Sequence, residues 1–169
     1  MDRFERLAGA LRRIPGLEVR ENEPMKRHTT FRIGGPARLM ALPRSRKEAA
    51  AAVQAATEAG IAPFFLGNGS NLLVADHGYE GFVLKACGLD QVREVNHRLR
   101  AESCITLARL ANAALGRGLT GLEFAHGIPG TLGGAVVMTA GASGGEMVQV
   151  LTAVTYLDGA GEEHTLPAA

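Results

Sequence analysis

Residues 127–146 read GIPGTLGGAVVMTAGASGGE, seven glycines in twenty positions with one charge, Glu146, at the far end. Glycine loses more backbone freedom on folding than any other residue. A cluster this dense therefore marks a chain that bends sharply or approaches something closely. A second cluster, GNGSN at residues 67–71, directly follows the apolar run Pro63, Phe64, Phe65 and Leu66. Two such loops offer two exposed rows of backbone N–H groups, a natural cradle for the phosphates of a nucleotide or dinucleotide. Glycine counting alone leaves open the alternative of two tight turns in a glycine-rich fold.

A chain of 169 residues is one large domain, or two small subdomains sharing a core. A net charge of +1 supplies no field for nucleic acid or an anionic membrane. Cys87 and Cys104 lack CxxC spacing, which argues against a zinc site, a redox pair or a disulfide framework and suits a reducing compartment. The N-terminus carries scattered charges and is not read as a signal peptide, and no apolar run is long enough to span a bilayer. These features are those of a cytoplasmic chain.

Asp2 with Glu5 forms a capping box for a first helix with Phe4, Leu7, Ala8 and Leu11 on one face, stopped at Pro15 and Gly16. An irregular polar stretch over 18–30 and a turn at 31–36 lead to a short strand over 38–42. Ser45 and Glu48 cap an alanine-rich helix that ends at Gly60, and a buried strand over 63–66 completes a βαβ unit with parallel strands. A strand over 81–86 follows, then an antiparallel pair turning at Asn96 and His97. A third helix opens at Thr106 with Leu107, Leu110, Ala111, Ala114 and Leu115 on one stripe and ends at Gly116 and Gly118. Strands over 148–157 and 163–166 flank a hairpin turn at 158–161.

The glycine loops exclude some chemistry. A phosphate loop of the type GxxxxGK[ST] needs a lysine on the terminal phosphates, and no lysine follows Lys85. In a GxGxxG reading of residues 67–72, Leu72 stands where the third glycine belongs, and no helix pattern follows. What remains is a pyrophosphate held by main-chain donors with help from Asn68, Ser70, Asn71 and Thr131, or, for Ser70 and Asn71, a local side-chain turn. His126 precedes the long loop and reads more readily as a packed or solvent-facing residue. His28, His77, His97 and His164 have no partner at metal-ligand spacing. Glu123 and Glu146 are too far apart to declare an acid–base pair, and Arg32 and Arg38 read as solvent-facing. Loops of this kind without convincing acid–base groups describe a cofactor-binding domain.

Four segments taken together resemble a known family. They are HTTFRIGGPA at 28–37, GNGSNLLV at 67–74, GLEF at 121–124 with GIPGTLGGA at 127–135, and AGA at 140–142. In this order and spacing they resemble the UDP-N-acetylenolpyruvoylglucosamine reductase (MurB) family of peptidoglycan precursor synthesis. The resemblance implies an α+β fold of the PCMH, or vanillyl-alcohol-oxidase, type. FAD lies non-covalently between a small parallel βαβ subdomain and a second subdomain with an antiparallel sheet. It implies a lead-in over 1–21, FAD-binding subdomains over 22–88 and 89–169, and a substrate domain that this chain lacks.

On this resemblance Gly67, Asn68, Gly69, Ser70, Asn71 and Leu72 hold the pyrophosphate. Gly127, Ile128, Pro129, Gly130, Thr131, Gly133, Gly134 and Ala135 wrap its other side, and Gly141, Ala142 and Glu146 run toward the flavin. The family's reductant is NADPH, its substrate a UDP-sugar enolpyruvyl ether, and no nucleic acid, membrane or metal is involved. The full-length enzyme is expected to be a monomer. The family's catalytic residues belong to sequence beyond this chain, so no position here inherits a catalytic role. The chain is expected to be an N-terminal fragment that binds FAD without reducing substrate alone. Two other readings are a non-catalytic flavin- or nucleotide-binding module and another flavoprotein oxidase of the same fold. Two departures stand out: Thr139 replaces the asparagine of the family's NAGA motif, and 101–104 read Ala, Glu, Ser, Cys where glycines are usual.

Overall fold

A computed structural model describes residues 2–86 and 88–168. Cys87 lies outside them, so its expected lack of a metal or disulfide role has no structural counterpart here. Helix α1 (Arg3–Arg12) starts as its capping box requires, the Asp2 N–H donating to Glu5 Oε2 at 3.0 Å. Its buried stripe is Phe4, Leu7, Ala8 and Leu11. Strand β1 (Glu18–Pro24) leads into a 3₁₀ turn (Met25–Arg27), strand β2 (Pro36–Leu42) and helix α2 (Arg46–Glu58). Ser45 caps α2 by accepting from the Glu48 N–H at 3.2 Å. Strands β3 (Pro63–Phe65) and β4 (Tyr79–Leu84) complete a four-stranded sheet in the order β1-β2-β4-β3. Strands β2, β4 and β3 run parallel, with β1 antiparallel on the β2 edge. The expected βαβ unit is present, and β4 lies between its two strands.

The side-chain alternation of the central strands builds a core on each face of the sheet. Leu39 and Ala41 of β2 with Phe82 and Leu84 of β4 meet α1 and α2 on one face. Met40, Leu42 and Val83 point the other way, against Met25, Leu66, Leu72 and Val74. That second face is covered by a 3₁₀ turn and by the loop that contains Gly67 to Asn71. The glycine loop is thus bolted at both ends, by Leu66 and Leu72.

The sheet edges correct the sequence reading. Residues 18–24 form a strand, although their composition is polar. As an edge strand β1 needs only backbone pairing with β2, and its side chains largely meet solvent or each other. Strand β3, expected to be buried, is the opposite edge and leaves Phe65 61% exposed. Arg38, read as solvent-facing, lies over the Phe4 ring at 4.1 Å and pairs with Asp2, tying α1 to β2.

Among the described residues, antiparallel pairing in the rest of the chain occurs in three two-stranded ladders and an isolated bridge between Thr106 and Thr131. Strands β5 (Val92–Val95) and β6 (Arg98–Ala101) turn through Asn96 and His97, both left-handed at φ 51° and 58°, as a two-residue hairpin demands. Helix α3 (Leu107–Leu115) is capped by Thr106. Its stripe is buried as far as Ala114, while Leu115 is exposed where the helix ends.

The long glycine segment contains helix α4 (Leu132–Val137) and the short ladder β7 (Gly141–Ala142) and β8 (Gly145–Glu146). The expected strand over 148–157 begins instead with a turn of helix, α5 (Met147–Val150), before β9 (Ala153–Leu157) and β10 (Glu163–Pro167). Leu107, Ala125, Ala135 and Met147 centre a third cluster. The β9–β10 hairpin returns to the first core through Leu157. No described helix is long and apolar enough to cross a membrane.

Two outcomes follow for stability. Phe82, fully buried under α1 and α2, leaves a large cavity on substitution by alanine. Phe82→Ala should cost about 3–5 kcal/mol by urea denaturation. Thr139 ends the α4 segment at φ 49°, where a β-branched residue is strained. Asparagine tolerates that conformation, so Thr139→Asn should raise stability by roughly 1 kcal/mol in the same measurement.

Candidate cofactor site

The chain leaves β3 at Leu66, whose N–H donates to Leu84 O at 2.9 Å, and enters the first glycine loop. Gly69, at φ +64°, lies flat on the preceding segment, and a Cβ there would stand 2.1 Å from His28 O. The Thr30 N–H donates to Gly69 O at 3.2 Å, which pins the back of the loop. The front is different: among the described residues the N–H groups of Gly67 through Asn71 donate to no protein acceptor.

The second glycine loop is pinned from the other side by the segment leading into α3. Leu107 donates to Gly130 O at 3.2 Å, Leu132 to Ile105 O at 2.9 Å, and Gly133 to Ser103 O at 2.7 Å. Sequence reasoning did not pair 103–107 with this loop, because nothing local in either segment announces the other. The first amides of α4, those of Leu132 and Gly133, are consumed by these bonds. The N–H groups of Gly130 and Thr131, one step earlier, have no protein acceptor among the described residues.

The two loops meet. Ser70 Oγ donates to Pro129 O at 3.1 Å, and a Cβ on Gly130 would come within 3.1 Å of that hydroxyl. A Cβ on Gly67 would stand 2.4 Å from Thr131 Oγ1. Gly67, Asn68, Gly69, Ser70 and Asn71 are thus brought against Pro129, Gly130 and Thr131 as two opposed stretches of backbone. Leu72, Ile128 and Ala135 turn their side chains into hydrophobic clusters and offer only main chain. Gly127 closes the 3₁₀ turn Glu123–Gly127, and Gly133 and Gly134 lie in α4.

Gly141, Ala142 and Glu146 form the β7–β8 ladder, which packs on Phe124, where a Cβ on Gly145 would stand 2.6 Å from the ring. Glu146 caps α5, its N–H donating to Gln149 Oε1 at 2.9 Å. Glu123 Oε2 accepts from the Gly121 N–H at 2.8 Å, and His126 is exposed. The two glutamates therefore brace turns.

One polar cluster was not anticipated. His28, read as having no metal-ligand partner, is buried with its Nε2 2.9 Å from Glu23 Oε1 and its Nδ1 3.1 Å from Lys85 Nζ. Arg20 Nη1 also reaches Glu23 Oε1, at 2.9 Å. Burial pulls the Glu23 carboxyl upward; the hydrogen bonds from His28 and Arg20, with the Arg20 charge, outweigh it and hold the group below the ordinary carboxylate range. Such a carboxylate adds stability that is complete above that range and lost as pH falls through its lowered value. Lys85 is 57 residues from His28 in sequence, so no local pattern reveals the pair.

Residues 37–167 match the family described as "FAD binding domain". The chain is 50% identical over 137 residues to a UDP-N-acetylenolpyruvoylglucosamine reductase of Caldanaerobacter subterraneus, covering 81% of the chain and 45% of that protein. It is 45% identical over 160 residues to the same-named protein of Moorella thermoacetica, covering 95% of the chain and 53% of that protein. The chain spans about half the length of the curated relatives it matches. Among solved structures, the reductase of Thermus caldophilus superposes with a TM-score of 0.72 at 34% identity, over 90% of this chain and 52% of that one. Glucooligosaccharide oxidase of Acremonium strictum, which carries a cysteinyl, histidyl FAD, superposes at 0.71 with 18% identity, over 96% of this chain and 36% of that one. That second likeness shows the fold alone.

The contact between the loops is open to measurement. Gly67→Ala should destabilise the chain by about 1–3 kcal/mol in urea, because the new methyl must displace Thr131. Thr131→Ala in the same chain should recover part of that loss, giving a non-additive double-mutant cycle. Additive effects would mean that the two loops do not press on each other.

Proposed function

The chain belongs to the FAD-binding domain family, and on that premise we propose that its two opposed glycine loops hold the diphosphate of a non-covalent FAD. The observation that carries this reading is the pair of amide rows, Gly67 through Asn71 and Gly130 with Thr131, that have no protein acceptor among the described residues and lie on two loops in contact through Ser70 and Pro129. Main-chain donors suit a buried diphosphate that is kept rather than transferred, since they stabilise charge without a mobile cation. Ser70 and Thr131 bring hydroxyls to the same place. Residues 22–88 and 89–169 form the two lobes on either side of the cofactor. Gly141, Ala142 and Glu146 lie toward its flavin end.

When bound, FAD supplies hydride transfer, which no side chain of this protein can perform. The protein's part is to bind, orient and shield. The full-length protein is the NADPH-dependent reductase that converts UDP-N-acetylglucosamine enolpyruvate to UDP-N-acetylmuramate in the cytoplasm. The names and identities of the two bacterial relatives support this. Half the length of those relatives lies outside the matched region.

The purified chain should show a flavin absorption band that moves to the supernatant on acid precipitation. It should not oxidise NADPH in the presence of the enolpyruvyl substrate. Colour retained in the pellet would establish a covalent flavin and move the assignment to an oxidase of the same fold. A colourless chain that takes up no added FAD would overturn the cofactor assignment.

A further inference from the structure

His28 sits between two charges of opposite sign, and their chemistry settles its protonation. A carboxylate only accepts, so the 2.9 Å contact from Nε2 to Glu23 requires a proton on Nε2. An ammonium only donates, so the 3.1 Å contact from Lys85 Nζ requires a bare Nδ1. The imidazole is therefore neutral and protonated on Nε2. Among the described residues, the charged groups that meet it are Glu23 from β1 and Lys85, just past β4. Arg20 and Arg27 meet Glu23 behind it, and on the loop side its neighbour is the uncharged Gly69.

The bridge closes a ring around the first glycine loop. From Lys85 the chain steps back to Leu84, whose carbonyl accepts from Leu66 N–H at 2.9 Å, immediately before Gly67. At the other end Gly69 rests on the His28 carbonyl and accepts from the Thr30 N–H. The Lys85 to His28 hydrogen bond thus joins the two supports on which Gly67, Asn68 and Gly69 hang.

Resting on the reading of that loop as the FAD cradle, we propose that His28 is a positioning residue for cofactor binding. As a neutral bridge between Glu23 and Lys85 it holds the loop's two supports at a fixed spacing. Without the bridge the two supports are no longer held together, and FAD affinity falls by about tenfold, the equivalent of one lost hydrogen bond.

The test combines a measurement on the cofactor-free chain with one on FAD binding. Long-range ¹⁵N–¹H NMR of the histidine-labelled chain should show His28 as the Nε2–H tautomer. Amide exchange of Asn68 and Gly69 should quicken in His28→Ala and return toward wild type in His28→Gln, whose amide can donate to Glu23 and accept from Lys85. FAD titrations at a single pH should show affinity lost in His28→Ala and most of it restored in His28→Gln.

An Nδ1–H tautomer, or an FAD affinity as low in His28→Gln as in His28→Ala, would overturn the proposal. A wild-type chain that binds no FAD at any pH would refute the cofactor reading. The tautomer and exchange data, both taken without cofactor, would still decide whether His28 holds the loop.

Discussion

Glycine backbone pressed against a neighbouring segment, with no side chain of its own to hold them apart, is the contact on which the candidate site depends. Gly69 lies on the His28 carbonyl, Gly67 faces the Thr131 hydroxyl, and Gly133 lies against Ser103, each so close that a Cβ would have to displace its neighbour. Such approaches cost conformational entropy and return little hydrophobic energy. They persist here because apolar residues on either side pack into the hydrophobic clusters. Leu66 and Leu72 anchor the first loop on the second face of the sheet, and Ile128, Leu132 and Ala135 anchor the other loop in the third cluster.

This arrangement explains why the site is made of main chain. Leu66, Leu72, Ile128 and Ala135 spend their side chains on the hydrophobic clusters, and the loop amides are left without protein acceptors among the described residues. The first amides of α4 are already paired with Ser103 and Ile105. The donor row is therefore the loop before the helix and not the helix end. A single kind of feature, a glycine turn bolted down by flanking apolar residues, serves both sides.

Local structure was largely legible in the sequence. The capping box at Asp2, the Ser45 cap, the stripe of α3 as far as Ala114 and the turn at Asn96 and His97 are set by contacts a few residues apart. The glycine clusters also announced themselves, since their spacing does not depend on what they pack against. The errors fell where sheet position decides the outcome. Strand β1 is polar because it is an edge, and Phe65 of β3 is exposed because it is the other edge, neither of which periodicity can report.

What the sequence determined by itself was helices α1, α2 and α3, the hairpin turns at 96–97 and 158–161, and two loops able to take left-handed and closely packed conformations. Those properties depend on short-range sterics and on the period of apolar residues. Only the tertiary structure decided that the two loops, about sixty residues apart, oppose each other through Ser70 and Pro129. It alone brought Lys85 to His28 and seated the α4 segment on residues 103–107. These contacts arise from sheet order and from the burial of flanking leucines. They are properties of how the whole chain closes, and no stretch of a few residues encodes them.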